Sequence, residues 1–237
     1  MTGLHLSRLA LRRDAAVAAL APLLLPDDAD ARVGGAHHLL WTLFADGPDR
    51  RRDFLWRDDA GPGGRGRVFH VLSRRPPVDR LGLFDLDISE FAPALAPGDR
   101  LQFRLRANAT VAVATDERPA RGRRVDVVAH ALARLTPEER RASRHDVMQA
   151  AGRDWLAAQG RRAGFVPAGG GDQPAVAVDG ADWRVLARPG ARPATFAVLD
   201  FSGIVEVADP PVFLAALAAG FGRAKAFGCG LMLIRRA

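Results

Sequence analysis

Apolar periodicity runs strand, helix, strand, strand, helix, strand along the first half of the chain, and much the same order recurs in the second. The length, 237 residues, suits two domains of roughly 100 residues each. Together these observations predict an α+β fold of two tandem ferredoxin-like units. With 48% hydrophobic and 26% charged residues, the chain has the balance of a folded protein rather than a disordered one.

Leu4 to Leu11 alternates apolar and polar side chains with one late slip, which reads as the opening strand. A loose Ala/Leu/Pro/Asp segment follows to Arg32, with a helical turn over Ala15–Leu20. On Ala36–Phe44, Ala36, Leu39, Leu40, Trp41, Leu43 and Phe44 share one broad arc, as in an amphipathic helix that Gly47-Pro48-Asp49 ends. Phe54–Arg57 and Val68–Ser73 read as paired strands around the Ala60-Gly61-Pro62-Gly63-Gly64 loop, and Pro76-Pro77 closes the second. A helical patch over Val78–Leu83 and a strand over Leu101–Arg106, after the Pro97-Gly98-Asp99 turn, complete a first domain of residues 1–110.

The linker falls within Asn108–Gly122, and the second domain covers 120–237. Its elements are a strand at Arg124–Val128 and a long helix Pro137–Leu156 with Thr136 as N-cap. Short strands near Phe165, Ala175–Val178 and Trp183–Leu186 precede a long one at Thr195–Val207. Asp209 caps a helix whose first position is Pro210 and which runs over Pro211–Ala219, and Leu231–Ile234 is the closing strand.

The longest apolar stretch, Ala15–Leu25, is well short of the ~20 residues of a membrane span, is interrupted by Pro22, and lacks a signal-peptide cleavage pattern. A single cysteine, Cys229, excludes a disulfide framework and multi-cysteine zinc sites. The expectation is a soluble, cytoplasmic protein that makes no use of a membrane, a metal or a cofactor. Net charge is +7, and Lys225 is the sole lysine, so the positive charge is almost all arginine. Arginine grips phosphate oxygens in pairs and stacks on bases, which points to nucleic acid. A genome that writes arginine in place of lysine gives the same composition.

Four glycines (Gly220, Gly222, Gly228, Gly230) bracket Arg223 and Lys225 between the last helix and the last strand. Glycine lets backbone N–H groups come close to a phosphate while Arg223 and Lys225 supply charge. The spacing is neither a Walker loop nor a dinucleotide fingerprint, and a tight connection needing positive φ is the alternative. On Leu101–Asn108 the apolar Leu101, Phe103 and Leu105 face a core, while Arg104 and Arg106 share the other face and lead into Asn108. That is either a platform for an RNA backbone or a solvated sheet face. The basic turn containing Arg123 and Arg124 has the same two readings. Among six histidines none is spaced as a metal ligand set. His37 lies within the apolar arc near the expected helix start, where burial and the positive helix end both lower its pKa and leave a neutral imidazole at pH 7. A core-edge histidine bonded to backbone is the alternative.

Taken in order, these motifs resemble the CRISPR-associated endoribonucleases of the CasE type, the RNA-processing subunit of the type I-E Cascade complex. The resemblance is carried by Leu4-x-Leu6-Ser7-Arg8-Leu9, by His37 with Leu40, Trp41, Leu43 and Phe44, and by Arg52-Asp53-Phe54-Leu55-Trp56. Leu101 through Asn108, Gly122-Arg123-Arg124-Val125 and Phe201-Ser202-Gly203 with Asp209-Pro210 continue it, and the closing glycine-rich segment through Leu231 is its most specific part. It implies two ferredoxin-like, RNA-recognition-like domains and metal-independent cleavage of CRISPR repeat RNA at the base of a hairpin, leaving a 2′,3′-cyclic phosphate. It further implies His37 as the catalytic histidine, with His38 as a possible auxiliary group. The RNA-binding positions are Arg104, Arg106, Asn108, Arg123, Arg124, Gly222, Arg223, Lys225 and Gly228. The partners are the repeat hairpin and the other Cascade subunits. Many relatives carry a tyrosine three residues before the histidine, where this chain has Gly34, so a catalytically weak subunit that only holds the RNA is the second reading.

Overall fold

The computed structural model describes residues 3–45, 47, 52–60, 67–115, 118–169, 176–188 and 191–237. Their contacts group them into two compact units: 1–94 with 184–195 and 224–231, and 95–183 with 196–223 and 232–237. The expected loop residues Gly61–Gly64 and the turn residues Pro48 and Asp49 lie outside the described residues.

In the first unit β1 (Leu4–Leu11) leads through α1 (Ala15–Leu24) to α2 (Ala29–Trp41), which tightens into a 3-10 turn at Thr42–Phe44. β2 (Phe54–Ala60), β3 (Arg67–Ser73) and β4 (Phe84–Phe91) follow, and the four strands form an antiparallel sheet in the order β2-β3-β1-β4. This is the ferredoxin-like order with one departure. The segment expected as a helical patch, Val78–Leu83, is irregular, and the strand after it is β4. Phe84, Leu86 and Ile88 alternate there with Asp85, Asp87 and Ser89, a period of two that was there to be read.

The core of this unit follows from the apolar arc of α2. Leu39, Leu40, Leu43 and Phe44 pack on Leu9, Phe54, Trp56, Phe69 and Val71 of the sheet. Each such side chain contributes roughly 1.5–3 kcal/mol by leaving water. Phe44 stacks on Phe54 at 4.5 Å, and Trp56 meets Phe69 edge-on at 6.0 Å.

In the second unit β5 (Arg100–Ala107) is followed by a hairpin of β6 (Thr110–Thr115) and β7 (Arg118–Asp126), then by α3 (Val127–Leu132), α4 (Pro137–Ala142) and α5 (Arg144–Ala163). β8 (Phe165–Pro167), β9 (Val176–Arg188), β10 (Ala191–Val207), α6 (Pro210–Ala219) and β11 (Met232–Arg236) complete the chain. The sheet order is β11-β5-β10-β8, with β9 paired to β10. Numbered from β5, this again places the fourth strand beside the first and the third between first and second. β5 therefore opens the second repeat and does not close the first, and the Asn108–Gly122 stretch expected as a linker is largely the β6–β7 hairpin. The protein is α+β, with two ferredoxin-like domains.

Local chemistry explains the boundaries. Thr136 accepts from the Glu139 amide while Glu139 bonds back to the Thr136 amide, a capping box at the start of α4. The expected single long helix is broken at Ser143, whose backbone (φ −108°, ψ 9°) leaves the helical range. Asp209 caps α6 by accepting from the Val212 amide at 3.1 Å. Trp155 stacks on Phe201 at 5.4 Å, and Phe165 contacts Phe213 and Phe221, which joins α5, α6 and the sheet into one core.

Candidate active site

α2 starts at Ala29, where Asp28 accepts from the amides of Asp30 and Ala31, and not at Ala36. His37 thus lies past the middle of a 13-residue helix, and the helix N-terminus contributes nothing to its proton affinity. Gly35 has a structural purpose: a Cβ there would stand 2.5 Å from the Leu24 carbonyl oxygen, so α2 closes on the end of α1 only because this position has no side chain.

The His37 ring is half-buried, and Nε2 accepts a hydrogen bond of 3.2 Å from the Trp41 indole N–H one turn on. Its Nδ1 is buried and has no hydrogen-bond partner among the described residues. The ring lies 5.8 Å from that of His38, 6.3 Å from Trp41 and 6.1 Å from Phe227. Burial, then the nearby His38 and Arg52, lower its pKa from 6.5 to about 4. At pH 7 the ring is neutral. His38 is exposed on the outside of the arc.

Phe227 belongs to a 3-10 turn, Lys225–Phe227, held between left-handed residues Ala224 (φ 54°) and Gly228 (φ 76°). Trp56 fastens this turn, its indole N–H donating to the Ala226 carbonyl at 3.2 Å. A Cβ on Gly228 would meet the Trp56 ring at 3.1 Å, so the glycine serves both the φ and the close approach. Burial and Arg52 lower the Lys225 pKa, and burial lowers that of Arg52. Nη1 of Arg52 is buried with no hydrogen-bond partner among the described residues. Its sequence neighbour Asp53 is engaged elsewhere, 2.8 Å from Nε of Arg75. Arg52 and Lys225 are thus two coupled, partly buried cations whose charges an anion would relieve, with the neutral His37 ring beside Arg52.

Arg52 was missed as a site residue because it reads as one more arginine in a basic run. Its signal was the run of aromatic and apolar residues directly after it, Phe54-Leu55-Trp56, which buries the segment.

The remaining expected positions lie in the second unit. Arg104 is exposed on β5 and lines, with Gln102, Ser202, Ile204, Leu233 and Arg235, an open groove of about 440 Å³ on the sheet. Arg106, partly exposed, makes a forked ion pair with Asp200, at 3.1 Å from Nε and 2.9 Å from Nη2. Asn108 is buried, donating to the Ala197 carbonyl at 2.7 Å, and its own carbonyl accepts from the Arg223 amide at 3.3 Å. Gly222 (φ 71°) permits that junction, since a Cβ would stand 2.8 Å from the Asn108 oxygen. Arg223 is exposed beside it. Arg123 and Arg124 are exposed on β7, opposite Val113 and Ala112, and being consecutive they point to opposite faces of the hairpin.

Among the described residues no group of three or more His, Cys, Asp or Glu side chains is placed to hold a metal ion. No described helix is long and apolar enough to cross a membrane.

The fold has counterparts among solved structures. Thermus thermophilus Cse3 bound to an RNA representing a pre-cleavage complex is 26% identical, with a TM-score of 0.69 over 98% of this chain and 99% of that one. CRISPR endoribonuclease Cse3 bound to a 19-nucleotide RNA is 26% identical, with a TM-score of 0.70 over the same shares. Cas6e from Escherichia coli str. K-12 shares the fold at 18% identity, with a TM-score of 0.59 over 98% of this chain and 100% of that one. Among curated proteins none gives a significant match. A family model described as CRISPR associated protein matches residues 4–236, so nearly the whole chain is accounted for, and the chain belongs to that CRISPR-associated family.

Proposed function

We propose that the protein is a CRISPR repeat-RNA endoribonuclease, acting in the cytoplasm without a metal ion, that cuts at the base of the repeat hairpin and keeps its product as a subunit of a Cascade complex. The observation that carries this reading is a neutral imidazole set against two cations in one half-buried cluster, His37 with Arg52 and Lys225. The similarity to RNA-bound Cse3 supports it.

In the proposed reaction the ribose 2′-hydroxyl gives its proton to His37 as its oxygen attacks the adjacent phosphorus. The O2′–P bond forms and the P–O5′ bond breaks, which leaves a 2′,3′-cyclic phosphate. The departing 5′-oxygen takes a proton and ends as a 5′-hydroxyl. A positioned general base typically contributes about 10²–10⁴-fold, and a bound phosphate beside the ring raises its proton affinity above that of the free protein. Arg52 and Lys225 stabilise the extra negative charge on the phosphorane, and a low-dielectric setting makes each worth more than it would be in water. Arg104, Arg123, Arg124 and Arg223 hold RNA by contacts to phosphate, and Gly222 and Gly228 shape the loop.

The test is His37→Ala with the cognate repeat hairpin. Cleavage should fall by about 10²–10⁴-fold with hairpin affinity nearly unchanged, and EDTA should not slow the unmodified protein. A variant that still cuts the same phosphodiester at a similar rate refutes the role of His37. The vacancy at Gly34, where relatives carry tyrosine, favours the second reading, an RNA-holding subunit of feeble activity; an unmodified protein that binds the hairpin and never cuts it establishes that one.

A further inference from the structure

The Trp41–His37 hydrogen bond carries an inference about how the imidazole is set. Indole Nε1 is a donor only, so its 3.2 Å contact with Nε2 of His37 fixes that nitrogen as the acceptor. In the neutral ring the proton then resides on Nδ1, the buried nitrogen with no partner among the described residues. Trp41 is itself held: its ring meets Phe54 of β2 edge-on at 5.5 Å and lies nearly perpendicular to the imidazole, at 82°. Helical spacing of four residues places the two side chains on one face.

We propose that Trp41 is a positioning residue for His37, holding Nε2 as the unprotonated, proton-accepting nitrogen of a ring that would otherwise exchange its tautomers. This rests on the reading of His37 as the proton-transfer group. It follows that a 2′-hydroxyl donating to Nε2 takes the place of the indole N–H, since that nitrogen has one lone pair. It also follows that protonating Nε2 sets two donors against each other 3.2 Å apart, so Trp41 favours the neutral ring. Of the other groups, His38 on its own helix and Arg52 from the segment before β2 lower the proton affinity of His37, while Lys225, on the turn that brings the Phe227 ring, is coupled to Arg52.

The experiment is ¹⁵N NMR of the histidine rings in the full chain, without RNA, for the unmodified protein and for Trp41→Phe, which keeps the edge contact with Phe54 and removes the N–H. The unmodified protein should show His37 protonated at Nδ1 and bare at Nε2 at pH 7. Trp41→Phe should show a tautomer mixture and a His37 midpoint raised by roughly half to one pH unit, the equivalent of one ordinary hydrogen bond. Its cleavage rate at saturating RNA should fall while hairpin affinity holds. A native His37 protonated at Nε2 overturns the proposal even if the variant does not fold, and so does an unchanged tautomer pattern in a folded variant. The ring measurements need no turnover, so a protein that never cuts RNA would refute the nuclease reading and leave the Trp41 assignment to be judged on its own spectrum.

Discussion

Lowering the pH tests the setting of His37 most directly. A ring with the ordinary pKa of about 6.5 is only about one quarter neutral at pH 6. With the value lowered to about 4, it is about 99% neutral at the same pH. A base of the first kind would lose about fourfold in kcat/KM between pH 8 and pH 6, and His37 should lose almost nothing. The fall should set in below pH 5. kcat/KM reports the free protein, whereas kcat reports the RNA complex, where a bound phosphate beside the ring favours imidazolium. The acid limb of kcat should therefore lie above that of kcat/KM. The assay is initial cleavage rates on the labelled hairpin, varied over RNA concentration and pH. Stability carries the same signature: the unfolded chain takes up the His37 proton first, so stability is full above about pH 6.5 and declines as the pH falls toward about 4. A kcat/KM limb centred at pH 6.5 would refute the argument that burial and neighbouring cations keep this ring neutral.

Two other perturbations separate packing from chemistry. Gly34→Ala meets nothing within 4 Å and should raise stability by up to about 1 kcal/mol through helix propensity, while Gly35→Ala, whose Cβ falls 2.5 Å from the Leu24 carbonyl oxygen, should lower it; thermal melts of the two variants should move in opposite directions. Arg52→Gln should cost roughly 10²-fold in single-turnover rate, as for removal of one charge-stabilising donor, with a smaller loss in hairpin affinity and a rise in the His37 midpoint. Lys225→Ala should behave likewise, and equal losses in rate and affinity for both variants would reduce the pair to simple phosphate anchors.

Most of the architecture was legible because it rests on local signals. The alternation of Leu4–Leu11 and the apolar arc before Phe44 have the periods of strand and helix, and Thr136 and Asp209 announce helix starts through their side chains. What misled the reading was the partner of a strand, which no local pattern records. Leu101–Arg106 looks the same whether it closes one sheet or opens the next, and only its pairing with Phe201 and Ile234 neighbours in β10 and β11 decides. The site divides in the same way. His37 was singled out on motif order and burial was expected to lower its proton affinity, but the further lowering comes from His38 and from Arg52, 15 residues on, and not from the helix end. For Arg106 and Asn108 an alternating strand shows which face a residue takes and not that Asp200 or the Ala197 carbonyl waits across from it.

The position most open to experiment is Gly34. It stands one turn before His37 on the same face of α2, and Trp41 stands one turn after, so the imidazole sits in the middle of a three-residue stripe with one end vacant. The backbone there is helical, φ is not positive, and no atom lies within 4 Å of where a Cβ would be. A Cβ can therefore be added there without displacing the chain. If the hydroxyl that relatives carry at this place assists the reaction, Gly34→Tyr should raise kcat, with hairpin affinity and the His37 tautomer unchanged. Gly34→Phe is the necessary comparison, because both aromatic residues improve on glycine in a helix by a few tenths of a kcal/mol or so and only one brings a hydroxyl. A gain shared equally by both variants assigns the effect to helix order. A gain confined to tyrosine assigns it to the hydroxyl. No gain in either would mean that His37, Arg52 and Lys225 already supply what the reaction needs, and the argument for a catalytically weakened subunit would fall with it.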